Sequence, residues 1–316
     1  MNLSAFSFRD LEYVVAVAEQ RHFGRAAQSC AVSQPTLSAQ IRKLEDLFGF
    51  DIFERSPRHV LVTMRGEEVV AQARAILSEG RRMISLAEAG AEPLAGTFRL
   101  GVLSTLGPYL LPLLLKPLRD AFPKLRLLIT EGTTWPLVRQ LEEGTLDAVL
   151  ASPPIKEAEL TELPVFFESF VLAVPRDHKL AQVDRVTTQD VPAEELVLLD
   201  ESHCLRGQAL SLCPRRDHGV RGDALQASSL ETLRQMVGAG IGVAIMPRLS
   251  VAVGALLDDM VAYRRLQAPE EPGRNVALFH RPSFGRIRDI RLLREGIRVA
   301  LAERELVRNL APPLKA

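Results

Sequence analysis

Two cysteines in the C-terminal half carry the pattern that most directly indicates chemistry. Cys204 lies between His203 and Arg206, and Cys213 follows nine positions later. Nearby cations favour the thiolate over the thiol, and the thiolate is the form that peroxide oxidises, first to a sulfenic acid. A reactive thiol with a second cysteine close in sequence is the arrangement expected of a redox sensor. From spacing alone, two unrelated buried thiols are an equally good interpretation.

The residues between the two cysteines predict what a disulfide would require. Leu205, Gln208 and Leu210 favour a helix, although Gly207 weakens that prediction. A helix would separate the two Cα atoms by roughly 13 Å and place them on opposite faces. Because a disulfide needs Cα atoms within about 7 Å, the bridge could close only if the helix unwinds. Such a bond converts thiol oxidation into a change of shape.

Two short helices joined by a tight break stand out near the N-terminus, where the chain reads as mostly helical. The first covers residues 23–32 and turns Ala26, Ala27 and Cys30 inward, so we interpret Cys30 as a core thiol. The second begins at Ser33, a good N-cap, and has Pro35 in its first turn, where a missing N–H costs nothing. Its predicted buried stripe is Leu37, Ile41 and Leu44.

The other face of the second helix predicts contact with DNA. It carries Gln34, Thr36, Ser38, Gln40 and Lys43. Short polar side chains at a helix N-terminus suit the major groove, and the helix dipole favours phosphates. A small helical interaction domain with no role in DNA binding is the alternative.

A hairpin is predicted after these helices, over residues 52–63, with Arg55 and Arg58 near its tip to contact the DNA backbone or minor groove. The chain as a whole has 39 Lys and Arg and 39 Asp and Glu, so its net charge gives no argument for nucleic-acid binding. Between residues 21 and 65, however, seven basic residues outnumber four acidic ones.

A long helix is predicted next. Two rows of apolar or small residues follow a three-four spacing, as two packed helices require. The rows are Val69, Ala73, Ile76, Gly80, Met83 and Ala87, and Val70, Ala73, Leu77, Gly80, Ile84 and Ala87. We interpret the segment as a dimerising linker, with packing inside its own domain as the alternative.

The rest of the chain reads as an α/β domain, because short apolar runs alternate with helical stretches. That alternation favours largely parallel strands. The runs cover residues 98–103, 125–129, 148–151, 170–174, 196–199, 242–245 and 276–279.

Composition narrows the class of protein. A length of 316 residues suggests two or three domains, and 47% apolar with 25% charged residues is ordinary for a globular protein. Three cysteines are too few for a disulfide-stapled secreted scaffold. The N-terminus does not read as a signal peptide, and no apolar run reaches the roughly 20 residues of a membrane span. We therefore expect a cytoplasmic protein with no membrane partner.

Together these motifs resemble those of the LysR-type transcriptional regulators. The resemblance rests on Ala26-Ala27, the run from Ser33 to Glu45, Leu47-Phe48-Gly49 and Phe53-Glu54-Arg55, and it covers essentially the whole chain. It implies a winged helix-turn-helix over residues 1–63, a linker helix over 64–90 and a two-lobed α/β regulatory domain over 91–316, similar to periplasmic binding proteins. Lobe I would cover about 91–168 and 270–305, and lobe II about 169–269. The implied DNA-binding residues are the helix-turn-helix Phe23 to Arg42, especially Ser33, Gln34, Pro35, Thr36 and Ser38, with Arg55 and Arg58 in the wing.

The cysteine segment resembles the redox motif of the peroxide-sensing members of this family. By resemblance, Cys204 is the peroxidatic thiol and Cys213 resolves it, and His203 and Arg206 belong to the peroxide pocket. Thr105 and Thr134 match positions that line that pocket, although residue type alone would also suit helix caps. The chain departs from the motif in two places, with Gly207 where the motif has Asp and Ser202 where it has Gly.

We therefore predict a regulator, not an enzyme, in which hydrogen peroxide forms a Cys204–Cys213 disulfide that rearranges a tetramer on the promoters of antioxidant genes. The expected partners are double-stranded DNA, peroxide, RNA polymerase, further copies of the chain in a dimer of dimers and a cytosolic thiol reductant. No cofactor or metal is expected. One alternative is a LysR-type regulator gated by a small molecule between the lobes. Another is a thiol peroxidase, which would leave residues 1–65 unexplained.

Overall fold

The computed structural model describes residues 5–55, 60–88, 92–155, 158–213, 226–252, 259–302 and 307–309. The chain forms two compact units, one made of Met1–Gly90 with Glu143–Thr145 and the other of Ala91–Glu142 with Leu146–Ala316. Within the described part of the chain, no helix combines the length and the apolar character that crossing a bilayer requires.

The first unit consists of helices and one β-hairpin. Its elements are α1 (Phe8–Gln20), α2 (Phe23–Ser29), α3 (Gln34–Phe48), β1 (Phe53–Arg55), β2 (Val60–Val62) and α4 (Met64–Glu88). The two strands are antiparallel, with Phe53 opposite Val62, so the predicted hairpin is confirmed. The order of helices and hairpin is the one expected of a winged helix-turn-helix.

The apolar faces of these helices close a single core. The predicted stripe of α3 is buried, since Leu37, Ile41 and Leu44 are all at most 3% exposed. α1 contributes Leu11, Val14 and Val17 to the same core, and Ala26 and Ala27 add the inner face of α2. Cys30 is half-buried and packs against this core, in agreement with its interpretation as a core thiol.

The long helix α4 uses only part of its apolar rows inside this unit. Val70, Ala73 and Leu77 are buried in the core that it shares with α1. The alternative interpretation, packing within its own domain, is therefore correct for the first half of the helix. Met83 and Ile84 further along are 74% and 62% exposed.

The second unit is a mixed α/β domain. Its strands are β3 (Gly96–Leu103), β4 (Leu125–Gly132), β5 (Ala148–Ala151), β6 (Thr161–Pro175), β7 (Arg185–Thr187), β8 (Leu198–Leu199), β9 (Gln226–Ala227), β10 (Ala244–Pro247), β11 (Val261–Gln267), β12 (Gly273–His280) and β13 (Arg308–Asn309). Its α-helices are α5 (Gly107–Ala121), α6 (Thr134–Glu142), α7 (Cys204–Leu212), α8 (Leu230–Gly238), α9 (Arg248–Ala252) and α10 (Ile287–Ala302). Short 3₁₀ turns cover Lys179–Gln182, Thr188–Asp190 and Ala193–Glu195.

The main sheet of this unit has the strand order β4-β3-β5-β12-β6-β11-β7, with β10 and β13 also paired to β6. Strand β6 is shared by two groups of strands. Its residues 161–169 pair with β12, and its residues 170–175 pair with β10 and β11. We call β4, β3, β5, β12 and residues 161–169 half-sheet I, and residues 170–175 with β10, β11 and β7 half-sheet II.

The expectation of largely parallel strands is wrong for the middle of this sheet. β3 is parallel to β4 and β5, and β11 is parallel to β7. β6, however, is antiparallel to β10, β11 and β12. The chain passes to half-sheet II along β6 and returns along β12, so these two long strands must run in opposite directions.

Candidate functional site

Helix α3 presents the face that is predicted to meet DNA. Ser33 is its N-cap, as predicted, because its Oγ accepts a hydrogen bond of 3.3 Å from the backbone N–H of Thr36. The two hydroxyl oxygens lie 2.8 Å apart. Gln34, Pro35 and Thr36 are exposed and Ser38 is half-buried. The first turn of α3 therefore offers short polar groups on a surface that the core does not use.

The break between α2 and α3 and the start of the hairpin are both fixed by local contacts. Ala31 has a φ of 54°, a left-handed conformation that turns the chain sharply between the helices. Glu45 is 6% exposed and accepts hydrogen bonds from the backbone N–H groups of Ile52 and Phe53, at 3.0 and 3.1 Å. Glu45 was not predicted from the sequence, although a carboxylate beside the buried stripe of α3 was the available signal.

The wing residues stay a prediction. Arg55 ends β1, where its backbone pairs with that of Val60. Arg58 lies outside the described residues, in the segment between β1 and β2.

The second unit places both predicted redox cysteines on one helix. Cys204 is the first residue of α7 and is half-buried, and Cys213 is the buried C-cap residue that follows its last turn. Both thiols are free. The predicted helix is confirmed, so a bond between these thiols requires α7 to unwind.

The two basic residues beside Cys204 contact residues that precede α7. The Nε2 atom of His203 lies 3.7 Å from a carboxylate oxygen of Asp200, and Arg206 donates a hydrogen bond of 2.9 Å to the carbonyl of Leu199. Ser202 Oγ donates a hydrogen bond of 2.5 Å to Asp200, and this bond, followed by the charges of His203 and Arg206, lowers the pKa of the Asp200 carboxyl. Ser202, the departure from the motif, therefore helps to keep Asp200 ionised.

Burial raises the pKa of the Cys213 thiol. The protonated thiol is a poor nucleophile, so burial makes the Cys213 thiol less reactive than an exposed one.

Three buried polar atoms near α7 have no hydrogen-bond partner among the described residues. They are Ser104 Oγ, Thr134 Oγ1 and Gln208 Oε1. Ser104 follows β3, Thr134 begins the helix after β4, and Gln208 on α7 donates to Ser152 Oγ, after β5, at 3.0 Å. These three strands are neighbours and parallel, so their carboxyl ends meet at one edge of the sheet. Buried polar atoms normally have partners, and unpaired atoms at one edge indicate a place for a small polar molecule.

Thr105 lies beside this edge but has its own partners. Its Oγ1 accepts a hydrogen bond of 2.9 Å from Arg274, whose guanidinium also pairs with Glu168 at 2.8 Å. Neither threonine caps a helix through its side chain, since the N-cap of α5 is Leu106 and the hydroxyl of Thr134 has no partner among the described residues. The interpretation of both threonines as helix caps is therefore wrong.

No sequence pattern assigned a site role to the residues that complete this region, namely Ser104, Ser152, Glu168, Gln208 and Arg274. For Glu168 a signal existed, because it is the one carboxylate in the apolar run from residue 165 to 174. A completely buried charge of this kind is retained only with a partner.

Comparison with known proteins decides the family. The family model described as the LysR substrate binding domain matches residues 91–302, and the model described as a bacterial regulatory helix-turn-helix protein of the lysR family matches residues 8–67. The chain belongs to the LysR family. This family is one of transcriptional regulators, and its helix-turn-helix binds DNA. The predicted fold class, an N-terminal helix-turn-helix with a mixed α/β regulatory domain, is thereby confirmed.

The LysR-family relatives include named peroxide regulators. The chain is 45% identical over 279 residues to the hydrogen peroxide-inducible genes activator of Dickeya chrysanthemi, covering 87% of this chain and 90% of that one. Full-length OxyR from Pseudomonas aeruginosa, solved as a variant, is 38% identical with a TM-score of 0.76, covering 93% and 95% of the two chains. A peroxide-bound OxyR variant from Corynebacterium glutamicum is 29% identical with a TM-score of 0.64, covering 94% and 93%.

Proposed function

We propose that this LysR-family chain is a cytoplasmic transcriptional regulator that senses hydrogen peroxide through Cys204 and Cys213. The observation that carries the proposal is the position of two free thiols at opposite ends of α7, next to a sheet edge whose polar atoms lack partners among the described residues. The names of the relatives, which are peroxide-inducible activators, support the same ligand. A regulator of promoters works where the chromosome is, and this places the proposed function in the cytoplasm.

The proposed pocket suits the chemistry of peroxide. Hydrogen peroxide has two O–H donors and two acceptor oxygens, and the edge offers two hydroxyls and an amide oxygen, on Ser104, Thr134 and Gln208, that lack partners within the described residues. Thr105, His203 and Arg206 complete the proposed pocket. Their described side-chain contacts, with Arg274, Asp200 and Leu199, fix their positions.

The proposed reaction has two steps that balance. The Cys204 thiolate attacks one peroxide oxygen, the O–O bond breaks, and the products are the Cys204 sulfenic acid and hydroxide, which takes a proton to give water. Cys213 then loses its proton and attacks the Cys204 sulfur, and the sulfenic oxygen leaves with that proton as a second water. Peroxide is reduced and the two thiols are oxidised to a disulfide.

Closing the bridge dismantles α7. Leu205 and Ala209 are 2% and 3% exposed in the reduced helix, and Gln208 is bonded to Ser152 on half-sheet I. Unwinding removes Leu205 and Ala209 from the core and breaks the bond of Gln208 to Ser152, so the oxidised domain has a different surface. We propose that this change rearranges the oligomer and alters the contact with RNA polymerase, and that a cytosolic thiol reductant restores the helix.

The first unit supplies the proposed DNA contacts. Ser33, Gln34, Pro35, Thr36 and Ser38 would meet the major groove, and Arg55 and Arg58 the backbone, within a DNA-binding domain of residues 1–63. The exposed Met83 and Ile84 support a role for the 64–90 linker in pairing two chains, and two pairs would form the dimer of dimers. The regulatory domain would cover 91–316 with the lobe boundaries predicted from the sequence.

The test combines thiol mapping with DNA footprinting, with and without peroxide at micromolar concentration. Wild type is expected to form a reversible Cys204–Cys213 bond and to change its footprint. Cys204→Ser should show neither change, and Cys213→Ser should stop at the sulfenic acid. Cys30→Ser is the matched control and should behave as wild type.

Two results would overturn the proposal. If peroxide leaves both thiols free and the footprint unaltered, a regulator gated by a small molecule is the better interpretation. If the chain consumes many equivalents of peroxide with a thiol reductant while its footprint stays constant, it is a thiol peroxidase.

A further inference from the structure

A hydrogen bond joins the helix that begins beside Thr105 to a helix on the other half of the domain. Tyr109 Oη on α5 donates to Glu231 Oε1 on α8 at 2.9 Å. α5 packs against α10 and also against α9, the helix that follows β10 of half-sheet II, whereas α8 packs against β6, β10 and β11. The two residues are 122 positions apart in the chain, so their contact is a property of how the two halves approach each other.

Glu231 is held from its own side by a buried arginine. Arg234, one turn further along α8, is 1% exposed and lies 3.3 Å from the Glu231 carboxylate. Its guanidinium also donates to Tyr263 Oη at 2.8 Å and to the backbone carbonyl of Ser250. These contacts hold the acceptor of Tyr109 in place relative to half-sheet II.

Tyr109 is the corresponding fixed donor on the other half. Its side chain is buried, with 5% of the residue exposed, and it lies one helical turn after Thr105. Burial, with the hydrogen bond to Glu231 as a second cause, raises the pKa of the Tyr109 phenol, so the hydroxyl keeps its proton and acts as a donor.

This contact differs from a bond made within half-sheet I. The Arg274–Glu168 pair, which holds Thr105, has both side chains at most 1% exposed, whereas the Glu231 side chain is 54% exposed. Water competes for an exposed carboxylate, so the Tyr109–Glu231 bond is the weaker and more adjustable of the two. Cys204 lies on α7, and Ser104 and Thr105 come from half-sheet I, so the proposed pocket depends on how closely the halves approach.

We propose that Tyr109 and Glu231 are positioning residues for the peroxide reaction. Their hydrogen bond sets the approach of α5 to α8 and thereby holds the polar atoms of half-sheet I in register with Cys204. This inference rests on the proposed function, because it concerns the rate of the same first step.

The test measures two rates in a Cys213→Ser background, which stops the reaction at the sulfenic acid. One is the second-order rate constant of Cys204 with hydrogen peroxide, and the other is its alkylation by iodoacetamide, which needs no peroxide pocket. Tyr109→Phe should lower the peroxide rate constant about three- to tenfold, as the loss of one hydrogen bond allows, and leave the alkylation rate within about twofold.

The chain offers a matched control. Tyr263→Phe also removes a hydroxyl from this cluster, but its bond to Arg234 lies wholly on the side of half-sheet II. Both rates should therefore stay at the parent values. Glu231→Gln keeps an acceptor for Tyr109 and should retain most of the peroxide rate, whereas Glu231→Ala should behave as Tyr109→Phe.

Three results would overturn the inference. One is an unchanged peroxide rate in Tyr109→Phe, and another is an equal fall of both rates, which indicates general loosening and would be accompanied by a lower melting temperature. The third is an equal effect of Tyr263→Phe. If the parent variant itself forms no sulfenic acid with peroxide, the proposed function fails too, and that outcome is distinct from the other three.

Discussion

Helices α3 and α7 are built in opposite ways. α3 has a side-chain cap at Ser33, a proline in its first turn and a left-handed Gly49, with φ of 74°, at its end. α7 has no side-chain cap at His203, and Gly207 lies in its middle. Its C-cap residue Cys213 provides one of the two sulfur atoms of the proposed bridge.

The packing of the two helices differs in the same direction. α3 buries three large apolar side chains along its length, whereas α7 buries Leu205 and the small Ala209. The proposed roles differ in the same way, because a helix that reads DNA must keep its shape, whereas a helix that reports oxidation must lose it. Stabilising features are concentrated on the first helix and sparse on the second.

The largest expected effect comes from removing the anchor of α3. Ile41 is 1% exposed, so Ile41→Ala should lower the free energy of unfolding of the first unit by about 2–5 kcal/mol. Hydrogen exchange of the α3 amides measures the change. Gln40→Ala, on the adjacent half-buried position, is the control and should stay within about 0.5 kcal/mol. Equal protection in both variants would show that the core stripe does not hold α3.

The cap of α3 is the next test. Ser33→Ala removes the acceptor of the Thr36 N–H and should cost about 1 kcal/mol, measured as faster exchange in the first turn. Ser33→Asn keeps a capping side chain without adding charge, so it should exchange at the wild-type rate. If the alanine variant matches wild type, the cap contributes nothing and the contrast with α7 loses one of its supports.

Strengthening α7 should act on the redox equilibrium. A Cβ at Gly207 would meet nothing within 4 Å, so Gly207→Ala adds helix propensity of about 1 kcal/mol without a clash. Unwinding then costs more, and the equilibrium constant for the Cys204–Cys213 disulfide in a glutathione buffer should fall about fivefold. Gly207→Ser should give an equilibrium constant between those of wild type and Gly207→Ala. An equilibrium constant that is the same for wild type and both variants would mean that α7 does not unwind.

The smallest expected effect is a dependence on alkaline pH. The folded pKa of Cys213 lies above that of the unfolded chain because burial disfavours the anion. The unfolded chain therefore releases the proton first, and the fold loses stability as pH rises above the ordinary thiol value of about 8.5. As pH rises, the rate of iodoacetamide labelling of Cys213 in the folded protein should still increase at pH values where the rate for the urea-unfolded protein is already constant. Identical pH profiles for the folded and the unfolded protein would show that burial does not raise the pKa of the Cys213 thiol.

Local features of both helices could be predicted from the sequence. Capping at Ser33, the apolar spacing of α3 and the helix between the cysteines depend on neighbours within a few positions, so a residue pattern is enough. The hairpin of β1 and β2 could be predicted for the same reason.

Long-range features could not be predicted. The partner of Tyr109 is 122 positions away and that of Glu168 is 106 positions away, and no local period encodes either pairing. The antiparallel pairing of β6 with β12 could not be predicted for a related reason, because an apolar run does not reveal which strand it pairs with. Ser104, Ser152 and Gln208 are ordinary polar residues in sequence, and only the fold shows that Gln208 bonds to Ser152 and that Ser104 and Ser152 follow neighbouring parallel strands.

The central claim is that oxidation unwinds α7 and leaves α3 intact. Hydrogen exchange of the full chain, measured before and after peroxide with the Cys204–Cys213 bond mapped in the same sample, tests it most directly. The account predicts that the amides of residues 205–213 lose protection on oxidation while those of residues 37–48 keep theirs. A mapped disulfide with α7 still protected would contradict it.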